Sequence, residues 1–458
     1  MSREEFTSVR PVLRREGPHV FIETYGCQMN VNDSEVVLSI LQKAGWSICS
    51  SMEEADLILI NTCSIRDNAE QRVLGRLDVF RQEKKRRAGV VVGILGCMAE
   101  RLKDKLLENA AVDIVAGPDA YRDLPRLVEA VTASGKQINT ILSHEETYAD
   151  IAPVRMDKDG VTAFISIMRG CNNVCSYCIV PYVRGAERSR DPESIVSEAR
   201  ALVAAGYKEI NLLGQNVDSY CWKDPGDPQH VLRFDGLLEK VALVDPTVRV
   251  RFATSHPKDM GDSVLHVMAR YPNICRHIHL PVQSGSNVML EKMNRKYTRE
   301  TYLERVASIR RILPDCAITT DVIAGFSGET EQDHADTLSL FRQVRYDSAF
   351  MFQYSERPGT KASRHYPDDV PTSVKTARLN EIIAIQNEVS LEINRECIGK
   401  RFEVLIEGSS KRSDKEFIGR TSQNKSCVFP AEGHKPGEYV TVEVLSCTSA
   451  TLLCKLVD

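Results

Sequence analysis

A chain of 458 residues with 42% hydrophobic and 27% charged side chains has the make-up of an ordinary globular protein, with room for two to four domains. The charged first eighteen residues lack the apolar run of a secretory signal, and the longest apolar run, VVVGILGCMA (90–99), is far too short to cross a bilayer, so a cytoplasmic protein without membrane attachment is expected. A net charge of −4 excludes a bulk attraction to nucleic acid, and a reducing compartment makes disulfides the least expected use of 14 cysteines, leaving metal ligation, catalysis or small buried side chains.

In chain order, residues 1–17 are expected to form a flexible tail and 18–135 an N-terminal domain. There HVFIETYGC (19–27), LILINTC (57–63) and VVVGILGC (90–97) are short apolar runs that each end at a cysteine. Between the first two, DSEVVLSILQKAG carries apolar residues at 36, 37, 40, 41 and 44, the period of a helix capped by Asp33 or Ser34 and ended by Gly45. A second helix runs from about Asn68 to Arg87, and its closing KKRR (84–87) is what the helix dipole favours at a carboxyl end. Alternating strands and helices predict a Rossmann-like parallel sheet, whose ligands bind beyond the carboxyl ends of the strands. Cys27, Cys63 and Cys97 all fall there and are expected to converge at one sheet edge, with simple burial of each thiol as the alternative.

The central region, 157–392, repeats strand then helix about six times. Strands are expected at 161–168, 209–213, 248–253, 276–282, 318–324 and 348–354, and a long helix at about 371–396 closes the region. This pattern predicts a partial (β/α)6 barrel. RGCNNVCSYCIVP (169–181) directly follows its first strand, at the carboxyl end where barrel active sites are built. Beyond it, 395–458 breaks into five short alternating strands separated by Gly, Ser, Asn and Pro, the pattern of a small appended β-barrel.

Cys171, Cys175 and Cys178 are three ligands within eight positions. A four-iron cluster held by three thiolates keeps one iron open to bind something else. A zinc site is the alternative, but it wants a fourth ligand, and no further Cys or His lies within twenty residues after Cys178.

CNNVCSYC is the Cys-x3-Cys-x2-Cys signature of radical S-adenosylmethionine enzymes. The blocks TYGCQMN, NTCSIRDNAEQRV, GCMAER, CNNVCSYCIVPYVRGAERSR, LLGQNV, TSHP, HLPVQSGS, MNRKYTRE and YSERPGTKA resemble the radical S-adenosylmethionine methylthiotransferases, in particular the tRNA-modifying MiaB branch. Ser327 and Asp218 stand where that family usually has proline and asparagine. The resemblance implies two 4Fe-4S clusters, one on Cys171, Cys175 and Cys178 and one on Cys27, Cys63 and Cys97, with S-adenosyl-L-methionine on the open iron of the first. Reductive cleavage of S-adenosyl-L-methionine would give a 5′-deoxyadenosyl radical that takes hydrogen from carbon 2 of N6-isopentenyladenosine beside the anticodon. Sulfur from the second cluster then joins that carbon, and a second S-adenosyl-L-methionine methylates it. Implied partners are the tRNA anticodon stem-loop carrying isopentenyladenosine and an electron donor such as a flavodoxin or ferredoxin, with the enzyme a monomer. Methylthiolation of threonylcarbamoyl-adenosine or of a ribosomal protein side chain is the nearer alternative, and a non-enzymatic cluster carrier the more distant one.

By its resemblance to other radical S-adenosylmethionine enzymes, Tyr177, just before the third cysteine, is expected to flank the adenine of the cofactor, with packing as its alternative. Gly214 and Gln215, Ser255 and His256, and Gln283 and Ser284 follow successive barrel strands, while Asp321 lies within the fifth; all are candidates to face the mouth and hold the cofactor or substrate, or else to serve as turn residues. Arg184, Arg188 and Arg190 are candidate phosphate ligands, or a solvated loop paired with Glu187 and Asp191. The last region resembles the TRAM domain, a small barrel associated with RNA binding. Its loop SSKRSDKEFIGRTSQNK offers Lys411, Arg412, Lys415, Arg420 and Lys425 to a polyanion.

Overall fold

The computed structural model describes residues 17–63, 67–156, 160–227 and 229–457, without the side chains of 67–71. The expected tail lies, but for Gly17, outside the described residues. The chain forms two compact units, one reaching to Gly26 and resuming over Asp33–Ile141, the other made of Cys27–Asn32 and everything from Leu142 onward.

The first unit is built on β1 (His19–Tyr25), β2 (Ser47–Ile48), β3 (Leu57–Thr62), β4 (Val91–Gly96), β5 (Ile114–Ala116) and β6 (Gln137–Asn139). They form one parallel sheet in the order β2-β1-β3-β4-β5-β6. This is the doubly wound arrangement whose chain reverses direction of growth beside β1. Every residue of β3 is buried, which is why LILINT carries apolar side chains on both faces. Ile58, Ile60, Val92, Ile94 and Val115 pack with Phe80 of the second crossover helix (Asp67–Arg86). KKRR is structural: Lys84 meets Asp113 at 2.6 Å and Arg87 meets Glu83 at 2.5 Å.

The first helix, Gln28–Lys43, starts earlier than its apolar period. Asp33 and Ser34 are therefore inside the helix and do not cap it. Its opening turn, QMNVND, is largely polar, so the hydrophobic repeat becomes visible only after the helix has begun. Ser34 instead bonds inward to Asn61 (3.0 Å) and Thr24 (2.7 Å).

In the second unit, β7 (Thr162–Ser166) is followed by the clip formed by β8 (Met168–Arg169) and β9 (Arg188–Ser189), then by β10 (Glu209–Leu213), the hairpin β11 (Cys221–Lys223) and β12 (Val231–Arg233), β13 (Arg249–Ala253), β14 (His277–His279), β15 (Ala317–Ala324) and β16 (Ser348–Gln353). Two parallel three-stranded sheets, β7-β10-β13 and β14-β15-β16, join through the Val250–Ile274 bridge and the bond from Ser255 N to His279 O (3.2 Å). The result is the expected open six-stranded barrel, whose Ile165, Ile210, Leu212, Val250, Ile278 and Val322 share one core with residues of the helices around it such as Ile195, Phe234 and Leu265. The long helix Thr372–Arg395 packs along β16 and donates from Gln386 to Tyr346 O (2.8 Å).

The C-terminal strands β17 (Arg401–Ser410), β18 (Ser413–Thr421), β19 (Ser426–Pro430), β20 (Tyr439–Cys447) and β21 (Thr451–Leu456) close into a barrel in the order β17-β18-β19-β21-β20. It docks firmly onto the amino ends of β10 and β13, the end away from the cysteine loop. Buried Arg249 donates to Arg420 O (2.6 Å) and Glu403 O (3.0 Å) and lies 4.9 Å over the Tyr439 ring. Buried Arg251 bridges Glu209 (2.7 Å) and Thr421 O (2.7 Å). Two cations offered to RNA by the sequence are paired with carboxylates, Lys425 across this contact and Arg420 within the small barrel. Lys425 is held by Asp347 at 2.7 Å, and Arg420 by Glu407 at 2.9 Å.

Candidate functional site

The loop carrying Cys171, Cys175 and Cys178 is pinned from several sides. Its base is closed by the pairing of Met168 with Ser189 and Arg169 with Arg188. Gly170 turns the chain at φ +73°, where a Cβ would lie 2.0 Å from Ala186 O, so only glycine fits. Cys171 N donates to Gly185 O at 3.2 Å. On the far side, the segment after the helix Asn287–Lys292 grips the loop. Ser176 N donates to Met293 O (3.0 Å), Ser176 Oγ to Lys292 O (2.8 Å), and Asn294 Nδ2 to Val174 O (2.7 Å). Ala362 N reaches Ser176 O at 2.6 Å.

Cys171 and Cys175 are buried and Cys178 partly so. Burial pushes the Cys171 thiol up to about 11 and the Cys178 thiol up to about 12. Without a metal such thiols hold their protons at neutral pH, and ligation must displace them. None of the fourteen cysteines is paired in a disulfide. Among the described residues no group of three His, Cys, Asp or Glu is drawn close enough to hold a single metal ion. A cubane cluster is wider than one ion and spreads its thiolates correspondingly.

In the first unit, Thr62 pairs with both Tyr25 and Gly96, so β1, β3 and β4 end level. A cysteine follows each end within two residues. Cys63 extends the ladder by donating to Tyr25 O (3.1 Å), and buried Cys97 opens the helix Cys97–Leu102. Cys27 caps the first helix: its carbonyl accepts from Asn30 N (2.9 Å), and its thiol donates to Asn30 Oδ1 (3.2 Å).

The barrel mouth holds the polar strand ends that the sequence singles out. Gly214 lets the backbone pass close to Met168, whose Cγ would stand 2.7 Å from an added Cβ. Gln215 Oε1 and Asn216 Oδ1 are buried without a hydrogen-bond partner in the protein. Gln283, at φ +71°, bridges Asp321 O and Ile323 N through its backbone. Asp321 meets His279 Nε2 at 3.3 Å, and the other ring nitrogen of His279 lies 3.0 Å from Thr319 Oγ1. Buried Ser255 lies beside Asp218, whose carboxyl is pushed up to about 7 by burial, against the backbone N–H of His256 and the Ser255 hydroxyl. His256 is held neutral, its pKa lowered to about 2 by burial and then by nearby Arg295 and Lys258. Tyr177 packs edge-on against Phe326 at 6.4 Å. Ser284 is buried, with its hydroxyl beside Thr337 Oγ1 (3.4 Å).

Arg184, Arg188 and Arg190 do not present themselves to phosphate. All three are buried. Arg190 bonds Glu198 (2.5 Å) and Ser194 Oγ (2.9 Å), and Arg188 donates to Ser143 O and to Arg184 O (3.2 Å). The cysteine loop needs these anchors, and a run of arginines in sequence does not say which way they point. Two mouth residues escape the sequence reading altogether: His279, hidden in an ordinary strand pattern, and Arg295, which looks like one more loop cation in MNRKY. Arg295 Nη1 lies 3.2 Å from Cys175 Sγ.

Residues 19–117 match the Uncharacterized protein family UPF0004, 165–341 the Radical SAM superfamily, and 395–457 the TRAM domain. The tRNA-2-methylthio-N(6)-dimethylallyladenosine synthase of Bacteroides thetaiotaomicron is 58% identical, over 94% of this chain and 95% of that one. The synthase of the same name from Porphyromonas gingivalis is 56% identical, over 96% and 95%. This chain belongs to the tRNA-2-methylthio-N(6)-dimethylallyladenosine synthase family. Among solved structures, the radical S-adenosylmethionine methyltransferase TsrM from Kitasatospora setae superposes with TM-score 0.57 at 15% identity, covering 84% of this chain and 78% of that one. That likeness is one of fold. As a synthase of the radical S-adenosylmethionine superfamily the chain uses an iron–sulfur cluster and S-adenosyl-L-methionine. The residues fit: a loop of three thiols, a buried cation beside one of them, and orphaned amide oxygens at the mouth. No helix among the described residues is long and apolar enough to cross a membrane.

Proposed function

We propose that this chain is a transferase that installs a methylthio group on carbon 2 of N6-isopentenyladenosine beside the tRNA anticodon. The observation that carries the reading is a three-cysteine loop, pinned at the carboxyl end of a six-stranded barrel, in a chain 58% identical over 94% of its length to a synthase named for that product. Bound at this loop, the cluster and S-adenosyl-L-methionine would supply radical chemistry. Cys171, Cys175 and Cys178 would hold that cluster, with Tyr177, Gly214, Gln215, Ser255, Gln283 and Asp321 orienting the cofactor and the base and shielding them from water. Cys27, Cys63 and Cys97 would hold a second 4Fe-4S cluster that carries the sulfur, and two S-adenosyl-L-methionine molecules would be consumed per product. A flavodoxin or ferredoxin would deliver electrons to a monomeric cytoplasmic enzyme.

For RNA, the exposed tip of the β17–β18 hairpin is the best-supported contact, because Lys411 and Arg412 in its turn and Lys415 at the start of β18 are exposed, whereas Arg420 and Lys425 are tied to carboxylates. Changing all three to Ala should weaken anticodon stem-loop binding and flatten its salt dependence by up to about three units of slope. Nucleoside analysis of tRNA from cells lacking the protein tests the whole reading: 2-methylthio-N6-isopentenyladenosine should vanish and N6-isopentenyladenosine accumulate. An unchanged profile would overturn it.

A further inference from the structure

Arg295 is only 5% exposed, yet its polar contacts are all to uncharged partners. Nη1 lies 3.2 Å from Cys175 Sγ and 3.5 Å from Tyr177 Oη, Nη2 lies 2.9 Å from Pro281 O, and Nε lies 3.1 Å from Tyr297 Oη. Among the described residues no carboxylate bonds to it. A buried guanidinium without a counter-ion is strongly unfavourable, so a chain that keeps one there needs an anion at the same spot. The backbone makes the same point. Asn294 and Lys296 on either side both adopt left-handed φ values, +57° and +62°, which a lysine takes up only under constraint. The same segment grips the cysteine loop through Met293 O and Asn294 Nδ2, so the position of Arg295 against Cys175 is fixed by both chains of contact.

We infer that Arg295 is the built-in countercharge of the cluster carried by Cys171, Cys175 and Cys178, and that its N–H···S bond to Cys175 raises that cluster's reduction potential. The inference rests on the reading of those three cysteines as cluster ligands. Three thiolates outweigh the positive charge of the core, and each added electron makes the site more negative. A fixed cation and a hydrogen bond to a ligating sulfur both favour the reduced state. The reaction concerned is a one-electron reduction by a low-potential donor, with no proton or bond change at Arg295. The residue acts through Cys175 and is a positioning residue.

The test is a potentiometric titration of reconstituted wild-type, Arg295→Gln and Arg295→Lys proteins, following the paramagnetic signal of the cluster that changes when S-adenosyl-L-methionine is added, with iron content and thermal unfolding measured alongside. Arg295→Gln should be about tenfold harder to reduce at a given potential, a fall of about 59 mV for a one-electron couple. Arg295→Lys, which keeps the charge but not the planar fork, should shift by less than half as much. Loss of iron from Arg295→Gln with full iron in Arg295→Lys would support the same role. Equal potentials in all three proteins, loss of iron from both variants, or weaker S-adenosyl-L-methionine binding with unchanged potential would each overturn it. Failure of the wild-type protein to form such a cluster would instead sink the underlying assignment.

Discussion

Cys171, Cys175 and Cys178 occupy eight residues of one loop, whereas Cys27, Cys63 and Cys97 are spread over about seventy residues and three strands. The first triplet is set by local geometry: a glycine turn, a two-residue β-clip and a neighbouring segment that bonds the loop backbone. The second depends on the register of a whole sheet, because the strand ends that each cysteine follows come level only if Tyr25, Thr62 and Gly96 do. One arrangement is robust to changes elsewhere in the fold, and the other carries every error in strand pairing to its ligands.

The largest expected effect is on the compact triplet. Changing Cys171, Cys175 and Cys178 together to Ala should remove about half the iron of the reconstituted protein and all formation of 5′-deoxyadenosine. Full retention of iron would break the comparison at its first term. Next comes Cys63→Ala, which should leave 5′-deoxyadenosine formation intact while abolishing methylthiolated RNA, as followed by mass spectrometry. Normal product from that variant would remove the dispersed triplet from the mechanism.

A smaller and sharper effect is expected from Gly93→Val in β4. An added Cβ there would lie 2.7 Å from Leu59 Cδ2, overpacking the sheet between two of the cysteine-bearing strands at a cost of about 1–3 kcal/mol. Iron bound by the dispersed triplet should fall while cleavage of S-adenosyl-L-methionine persists. Equal loss at both sites would show that they are not independent. The smallest effect is in pH. With Cys27, Cys63 and Cys97 replaced by Ala, iron loading should tighten from pH 7 to pH 8. The Cys171 and Cys178 thiols stay protonated up to about 11 and 12, so each releases a proton on ligation, at most about tenfold in affinity per thiol per pH unit. Iron uptake independent of pH would contradict the burial of these thiols.

The strands were the most legible part, since buried parallel strands announce themselves as apolar runs such as LILINT and EINLL. The compact triplet was legible for a similar reason: its spacing lies in one window. The first helix begins at Gln28, ahead of the Asp33 or Ser34 cap that its apolar period suggests, because its opening turn is polar. Charge was the poorest guide. Arg188 and Arg190 point inward to Ser143 and Glu198, and Lys425 to Asp347, because a guanidinium or ammonium can close a fold as readily as meet a phosphate. Arg249 and Arg251 in VRVRFA find partners some 150 to 170 residues away, beyond the reach of any local pattern.

Those two arginines also impose an order on biogenesis. A ribosome releases this chain from its amino end, so the strands bearing Arg249 and Arg251 emerge well before Glu403, Arg420 and Thr421, which complete their bonding. Until the last sixty or so residues are made, the underside of the nascent barrel faces water. A protein ended by a stop codon at 397 should therefore be cleared by cellular proteases faster than the full chain, even though every cysteine ascribed to iron has already been translated.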